Sequence, residues 1–217
     1  MNDLRVIDLG WPIEDSMQVF PGDISPEIKE LTKIEEEGCR SKKIIISSHT
    51  GTHMDAPAHM LAGGACLDEL PGETFFGFAV IADVSGCAGR EIEISDLGLT
   101  REEMAAADFL LLHTGYCDKM GEDGYLEGFP VLSQAAARAL AEQELKGIGV
   151  DAISVDPVKS AECPVHKTIL GNGMVVLENL RGLRQLPFKT PFCLTALPLA
   201  LKGADGAPAR VMAVLEK

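Results

Sequence analysis

The chain has 217 residues, of which 46% are hydrophobic and 5% aromatic, and its formal net charge is -14. This composition is typical of a globular protein with an aliphatic core, and it excludes an intrinsically disordered chain. The negative charge argues against nucleic acid and anionic membranes as partners, because both would be repelled.

The sequence also lacks membrane and export signals. No apolar run approaches the roughly 20 residues that a membrane-spanning helix needs. The first ten residues, MNDLRVIDLG, contain no apolar segment of the kind found in secretory signals. The six cysteines are scattered singly, without a C-x-x-C pair. We therefore expect free thiols and a cytoplasmic location.

Strand-like runs recur along the whole chain. They are rich in β-branched and apolar residues and are bounded by Gly, Pro or Asp. In chain order they cover residues 5–9, 42–48, 78–85, 108–114, 147–156, 173–180, 192–199 and 209–216. Several are almost continuously apolar, which indicates strands buried on both faces.

Two helices are predicted between these strands. The first runs from about Ser95 to Ala107 in two pieces, the second piece beginning with a capping box at Thr100. The second helix follows Ser133 as its N-cap and is expected to end at Gly147. A helix between two buried strands predicts a β-α-β unit. We therefore expect an α/β fold with a mixed sheet, in a single domain spanning residues 1–217.

The longest irregular stretches are residues 10–41, 49–77 and 115–130, and long loops in compact domains tend to carry function. The second begins with HTGTHMDAPAH, which holds three of the chain's five histidines and Asp55. Imidazole and carboxylate groups bind zinc, manganese or iron without any thiolate. Such groups crowded together would be costly in a core without a partner. The stretch therefore predicts a divalent metal site.

The spacing inside this stretch constrains its backbone. Gly51 and Pro57 exclude a single regular helix. A straight strand would place His49 and His53 about 13 Å apart, whereas two ligands of one ion need donor atoms within about 4 Å of each other. We therefore predict a turn at Gly51, followed by extended backbone at His53-Met54-Asp55.

The same stretch resembles the H-x-G-T-H-x-D-x-P-x-H signature of the metal-dependent cyclase-like hydrolases, of the kynurenine formamidase and isatin hydrolase type. Four further segments are similar to segments of that family in the same order. They are FPGD at 20–23, LLLHTG at 110–115, SVDP at 154–157 and HKTILGNGMVVLENL at 166–180. The resemblance implies the swivelling β/β/α fold of the cyclase-like proteins.

The resemblance also implies two divalent ions per chain, Zn²⁺ or Mn²⁺. His49, His53 and Asp55 would hold one ion, and Asp55 would bridge to a second ion held by His166 and Glu178. The sequence supports the second pair independently, because Gly-Asn-Gly at 171–173 predicts a turn that folds the flanking segments back on each other. Taken alone, Glu178 would be a solvated carboxylate at a strand end.

The implied activity is a metal-dependent amidohydrolase that cleaves C–N bonds other than peptide bonds. The resemblance gives His59 the role of acid and base, which suits an imidazole, whose ordinary pKa is about 6.5. The substrate would be a small amide or lactam, either an aryl formamide such as N-formylkynurenine or an isatin-like cyclic amide. Long loops and apolar content are compatible with a homodimer or homotetramer.

One residue departs from the family pattern. Kynurenine formamidases of this group typically carry tryptophan where this chain has Phe20, which can still stack on an aryl ring but has less area. Tyr125 and Phe129 are weaker pocket candidates, and packing is expected for both. His113 ends an apolar strand and is expected to be a hydrogen-bonded structural histidine.

Two other functions fit part of the pattern. His53, Asp55 and His166 could imitate the two-histidine, one-carboxylate triad of non-haem iron oxygenases, but that triad explains neither His49 nor His59. A non-catalytic metal-binding module would need the ligands but neither His59 nor an open cavity.

Overall fold

The structure, a computed structural model, describes residues 4–216. Its strands are β1 (Leu4–Asp8), β2 (Glu27–Thr32), β3 (Ser41–Ile45), β4 (His53–Asp55), β5 (Phe76–Asp83), β6 (Phe109–His113), β7 (Gly147–Val150), β8 (Val175–Glu178), β9 (Phe192–Pro198) and β10 (Gly206–Glu216). Its α-helices are α1 (Ile34–Glu37), α2 (Arg101–Ala105), α3 (Gln134–Ala141) and α4 (Pro164–Gly171). Short 3-10 helices lie at Pro57–His59, Leu67–Glu69, Gly72–Phe75, Ser85–Cys87, Ile94–Leu97, Tyr116–Lys119 and Leu183–Gln185.

The main sheet closes on itself. Its strand order is β1-β10-β4-β8-β7-β6-β5-β9, and β9 also pairs with β10, so every strand except β1 belongs to a barrel-like ring. Strands β5, β6, β7 and β8 pair parallel with one another, whereas every pairing that involves β1, β4, β9 or β10 is antiparallel. Strands β2 and β3 form a separate hairpin-like pair. The expected α/β class with a mixed sheet is confirmed.

Two apolar clusters cover the two faces of this sheet. Along β5, Ala79 and Ile81 belong to a cluster drawn from strands all around the ring. The alternate residues Val80 and Ala82 pack in a second cluster that includes the buried faces of α3 and α4. The alternation follows from the two-residue period of a strand. The parallel strands are thus buried on both faces, as their apolar runs predicted, except at the start of β5, where Phe76 and Phe78 are exposed.

The local predictions are confirmed in part. The helix predicted in two pieces is a 3-10 turn followed by α2, and the hydroxyl of Thr100 accepts the Glu103 backbone N–H at 3.2 Å. The β-α-β unit is confirmed as β6-α3-β7. The prediction that Gly147 ends the second helix is wrong, because α3 ends at Ala141 and Gly147 already begins β7. A side chain there would meet Val175 Cγ2 at 2.7 Å, so sheet packing requires this glycine.

Three of these helices and strands were not predicted. Helix α4 lies in a segment where no helix is predicted, and α1 and β2 lie in a stretch expected to be irregular. Most side chains of β2 are exposed, so it lacks an apolar pattern. Among residues 4–216, no helix combines the length and apolarity that crossing a bilayer requires.

Candidate metal centre

Strand β4 lies between β8 and β10, and its register assembles the centre. His53 lies opposite Glu178 of β8, and Asp55 lies opposite Gly206 of β10. The predicted turn is confirmed, because Gly51 adopts a φ of +65° just before the strand. The turn brings His49 back to the strand, where its Nδ1 lies 2.7 Å from Asp55 Oδ1.

Asp55 is fully buried at the middle of the cluster. Its Oδ1 lies 3.3 Å from His53 Nε2, and its Oδ2 lies 3.6 Å from His166 Nε2. Among residues 4–216, Asp55 Oδ2 has no hydrogen-bond partner. A buried carboxylate oxygen without a partner is costly. Its surroundings, imidazole nitrogens and a second carboxylate, are donors that a divalent cation accepts, so the residues fit such an ion.

Two imidazoles are turned toward this carboxylate by partners on their far side. His53 Nδ1 lies 2.9 Å from the Gly51 carbonyl oxygen, which can only accept, so Nδ1 carries the proton. His166 Nδ1 lies 2.8 Å from Asp156 Oδ2. Both Nε2 atoms therefore present lone pairs to the cluster in the neutral rings. Metal-binding histidines are commonly held by outer acceptors in this way.

Asp156 also explains how α4 begins. The residue before the helix, Cys163, has a left-handed conformation and supplies no side-chain cap. Instead, the Asp156 carboxylate accepts the backbone N–H groups of Val165 at 3.0 Å and His166 at 2.9 Å. One carboxylate therefore caps the helix and orients the histidine on it.

Glu178 completes the cluster and is not a solvated carboxylate. Its Oε1 accepts the Val155 backbone N–H at 2.8 Å and lies 3.1 Å from His166 Nε2, and its Oε2 lies 3.4 Å from His53 Nε2. The predicted turn is confirmed, because α4 ends at Gly171 and Gly173 has a φ of +77°. The turn folds β8 back along α4.

The ionisable side chains of the cluster shift one another's pKa values. Burial alone would raise the pKa of Asp55, but the neighbouring imidazoles, His53 first among them, hold it well below its usual range. Burial likewise opposes ionisation of Glu178, but His166 and His53 lower its pKa to about 2. Burial lowers the pKa of His53, yet Asp55 and Glu178 raise it to about 10. Two buried carboxylates thus demand positive charge, from protonated imidazoles or from cations.

His59 lies at the edge of this cluster. Its ring centroid is 4.0 Å from that of His49 and 5.8 Å from that of His166. Its Nδ1 lies 3.3 Å from Asp205 Oδ2. Burial is the main cause that lowers the pKa of His59, so its neutral form dominates at neutral pH. By distance His59 could also act as a ligand, since one of its nitrogens lies within 4.8 Å of donor atoms on His49 and Asp55.

A cavity of about 190 Å³ opens onto the cluster. Its apolar wall includes Phe20, Met60, Ile153 and Cys163. The imidazole of His59 also faces it. The cavity can hold a small ring next to the clustered imidazoles and carboxylates.

Two acidic residues at this centre, Asp156 and Asp205, are not among the predicted site residues. The signal for Asp156 in the sequence is an Asp that follows a buried strand, within the family-like segment SVDP. For Asp205 the signal was weaker, namely an Asp-Gly pair just before the last strand.

The three structural assignments made from the sequence are confirmed. Tyr125 and Phe129 are buried in the apolar cluster beneath the helices. His113 is buried and its Nδ1 lies 2.9 Å from Asp151 Oδ2. None of the three lines the cavity beside the histidine and carboxylate cluster.

Known proteins resemble this chain over nearly its whole length. A family model described as "Putative cyclase" matches residues 7–157. Kynurenine formamidase from Salinibacter ruber is 30% identical over 213 residues, which cover 96% of this chain and 97% of that protein. A solved structure described as a potential metal-dependent hydrolase with cyclase activity has 30% identity and a TM-score of 0.81, covering 99% of both chains. Isatin hydrolase A from Labrenzia aggregata, bound to benzyl benzoate, has 26% identity and a TM-score of 0.86, covering 99% of this chain and 94% of that one. The expected cyclase-like fold is confirmed.

Proposed function

This chain belongs to the cyclase family, and from that premise we propose that it is a metal-dependent hydrolase of small amides. The observation that carries the proposal is the buried, unpartnered oxygen of Asp55, which faces imidazoles whose far nitrogens are tied to other groups. A relative is named a kynurenine formamidase, and a structural neighbour is an isatin hydrolase. Both names describe hydrolysis of a C–N bond outside a peptide.

The proposed centre holds two divalent ions per chain, Zn²⁺ or Mn²⁺. His49, His53 and Asp55 would hold the first ion, and Asp55, His166 and Glu178 the second. The distances support this division, because Asp55 Oδ1 faces His49 and His53 while Oδ2 faces His166. The donors are nitrogen and oxygen, which suit either metal. When bound, such ions supply Lewis acidity, which makes water more acidic and polarises a carbonyl oxygen.

His59 carries the proton in this proposal. Its neutral imidazole accepts a proton from the attacking water as the new C–O bond forms. It then returns that proton to the amide nitrogen as the C–N bond breaks, so the products are a carboxylic acid and an amine, or one amino acid from a lactam. The lowered pKa of His59, caused mainly by burial, favours the neutral form that begins the cycle.

The cavity suits a compact aromatic substrate. Phe20 forms part of its wall and offers an aryl face against which a ring can stack. We propose an aryl formamide, such as N-formylkynurenine, or an isatin-like cyclic amide as the substrate. The cavity lies beside His59, so the scissile bond of such a ring would be within reach of its imidazole.

The two other functions considered are not favoured. An iron-oxygenase triad would use His53, Asp55 and His166 and would leave His49 and Glu178 without a role, although both contact the triad. A non-catalytic module does not require the cavity beside His59.

We also propose a domain organisation, a location and an oligomeric state. We infer one domain over residues 1–217 and a cytoplasmic location. We further infer a homodimer or homotetramer, which is supported by exposed apolar side chains on the outside of the ring, such as Phe76, Phe78 and Leu197.

A substrate panel tests the proposed function. The protein is stripped with a chelator, reloaded with zinc or manganese, and assayed with formanilide, N-formylkynurenine, isatin and a simple aliphatic formamide. We expect hydrolysis of at least one aromatic substrate that disappears on stripping and returns on reloading. Hydrolysis that survives complete metal removal, or no hydrolysis of any amide by the loaded protein, would contradict the proposal.

A further inference from the structure

Asp205 joins two histidines of the centre through one oxygen. Its Oδ2 lies 3.0 Å from His49 Nε2 and 3.3 Å from His59 Nδ1. The side chain is 44% exposed, so it could point into water, yet it turns toward the two imidazoles. An ionised carboxylate accepts hydrogen bonds and cannot donate them. Each imidazole nitrogen that is hydrogen-bonded to it must therefore carry a proton.

The backbone around Asp205 is held in place by the neighbouring strand. Its carbonyl oxygen accepts the Ala56 backbone N–H at 2.8 Å, and the next residue, Gly206, pairs with Asp55. A Cβ atom at Gly206 would lie 2.7 Å from His49 Cε1, so only glycine allows this close approach. The pairing of β10 with β4 therefore fixes Asp205 beside the cluster.

We infer that Asp205 is a positioning residue that holds His59 with its Nδ1–H toward the carboxylate and leaves Nε2 to exchange the proton with water and the leaving nitrogen. The inference rests on the proposed function, because it assigns a partner to the acid–base of that reaction. The same oxygen receives His49 Nε2–H, which leaves the Nδ1 lone pair of His49 facing Asp55. One carboxylate thereby sets the tautomer of a proposed ligand and of the proposed acid–base.

If Asp205 positions His59, its loss should affect amide and ester substrates differently. Formanilide and 4-nitrophenyl formate share a formyl group, but only the anilide needs a proton on its leaving atom. Misorienting His59 should therefore impair the amide more than the ester. A merely structural role for Asp205 would impair both equally.

The first experiment compares Asp205→Ala and Asp205→Asn with the control Asp68→Asn, all with excess zinc. Asp68 accepts the Gly203 backbone N–H at 2.8 Å, so the control perturbs the same loop without touching an imidazole. For Asp205→Ala we expect kcat on formanilide to fall about 10–100-fold, the usual range for losing an outer partner. We expect little change in KM, a clearly smaller loss on the ester, and partial rescue in Asp205→Asn, whose neutral amide oxygen can still accept the His59 Nδ1–H. Equal losses on amide and ester, or the same pattern in Asp68→Asn, would overturn the inference.

A double mutant tests whether Asp205 acts through His59. In a His59→Ala background with saturating zinc, which offsets any weaker metal binding through His49, the further change Asp205→Ala should leave amide turnover unchanged, because the positioned group is gone. Additive losses would mean that Asp205 acts independently of His59. Zinc content and thermal unfolding of each variant are measured alongside, to confirm that the folded protein is loaded.

A spectroscopic measurement separates this inference from the proposed function. Imidazole ¹⁵N shifts of the zinc-loaded protein, assigned by the loss of signals in His59→Ala, report which nitrogen of His59 is protonated. We expect Nδ1–H in the wild type and a shift toward Nε2–H in Asp205→Ala. If the wild type holds Nε2–H, the inference fails whatever the activity. If it holds Nδ1–H but no amide is hydrolysed, the positioning by Asp205 is supported and the proposed function fails.

Discussion

Replacing Asp156 with asparagine tests how much the metal centre depends on a residue that would not touch the metal. The carboxylate accepts the backbone N–H groups of Val165 and His166 and the His166 Nδ1–H. An asparagine has only one accepting oxygen. In the amide orientation that costs less free energy, this oxygen keeps both bonds to His166. The amide NH₂ then faces the Val165 N–H, which leaves that buried donor unpaired.

The magnitude follows from this count of bonds. One unpaired buried donor costs about 1–3 kcal/mol of folding free energy. The two bonds to His166 survive but lose the negative charge that strengthens them. Complete loss of an outer partner of a metal-binding histidine typically lowers metal affinity about 10–100-fold. Because the bonds survive without their charge, Asp156→Asn should lie at the lower end, about 10-fold or roughly 1.4 kcal/mol. We expect this loss for the ion proposed at His166 and Glu178, and little change for the ion proposed at His49 and His53.

The assay is a zinc titration against a chromophoric chelator that resolves the two dissociation constants. Glu162→Gln serves as the control, because this exposed carboxylate beside the start of α4 pairs only with Lys167 among residues 4–216. Thermal unfolding gives the stability change of both variants. Wild-type affinity for both ions in Asp156→Asn, or equal weakening of both, would refute the reasoning.

Four further substitutions have distinct expected outcomes. His53→Ala should lose metal and activity together, whereas His59→Ala should keep both ions and lose about 10²–10⁴-fold in kcat; a metal-free His59→Ala protein would make His59 a ligand. Phe20→Ala should weaken binding of aryl amides by about 1–2 kcal/mol and of small aliphatic amides much less, as measured by KM and inhibitor binding; equal losses would make Phe20 a packing residue. The contact with Asp151 raises the pKa of His113 above its ordinary value, so its charged form stabilises the fold below the ordinary pKa and this contribution is lost as the pH rises through the raised value. His113→Gln should therefore lower the free energy of unfolding, measured by urea titration, more at about pH 5.5 than at about pH 9. A loss of stability that grows with pH would contradict the assignment.

The sequence was sufficient where the signal is local. The turn at Gly51 and the extended segment after it follow from ligand spacing and from the conformational freedom of glycine. The turn at Gly171-Asn172-Gly173 likewise follows from its own residues. The apolar runs predicted strands buried on both faces, and these strands form the parallel part of the ring.

The sequence was insufficient where a distant residue supplies the partner. Asp205 and His49 are 156 residues apart and meet only because β10 pairs with β4. Helix α4 was missed for the same reason, since its own N-cap position, Cys163, carries no capping side chain and the cap comes from Asp156. The end of α3 was misplaced because Gly147 was interpreted as a helix stop, whereas close packing against a neighbouring strand explains it.

The central claim is a pair of divalent ions bridged by Asp55. Anomalous diffraction at the zinc edge, on crystals of the zinc-loaded protein, gives the number and the positions of the ions in one measurement. The account predicts two peaks, one beside each oxygen of Asp55, with Glu178 and His166 at the second. A single peak that leaves Glu178 and His166 without metal, or peaks away from Asp55, would contradict it.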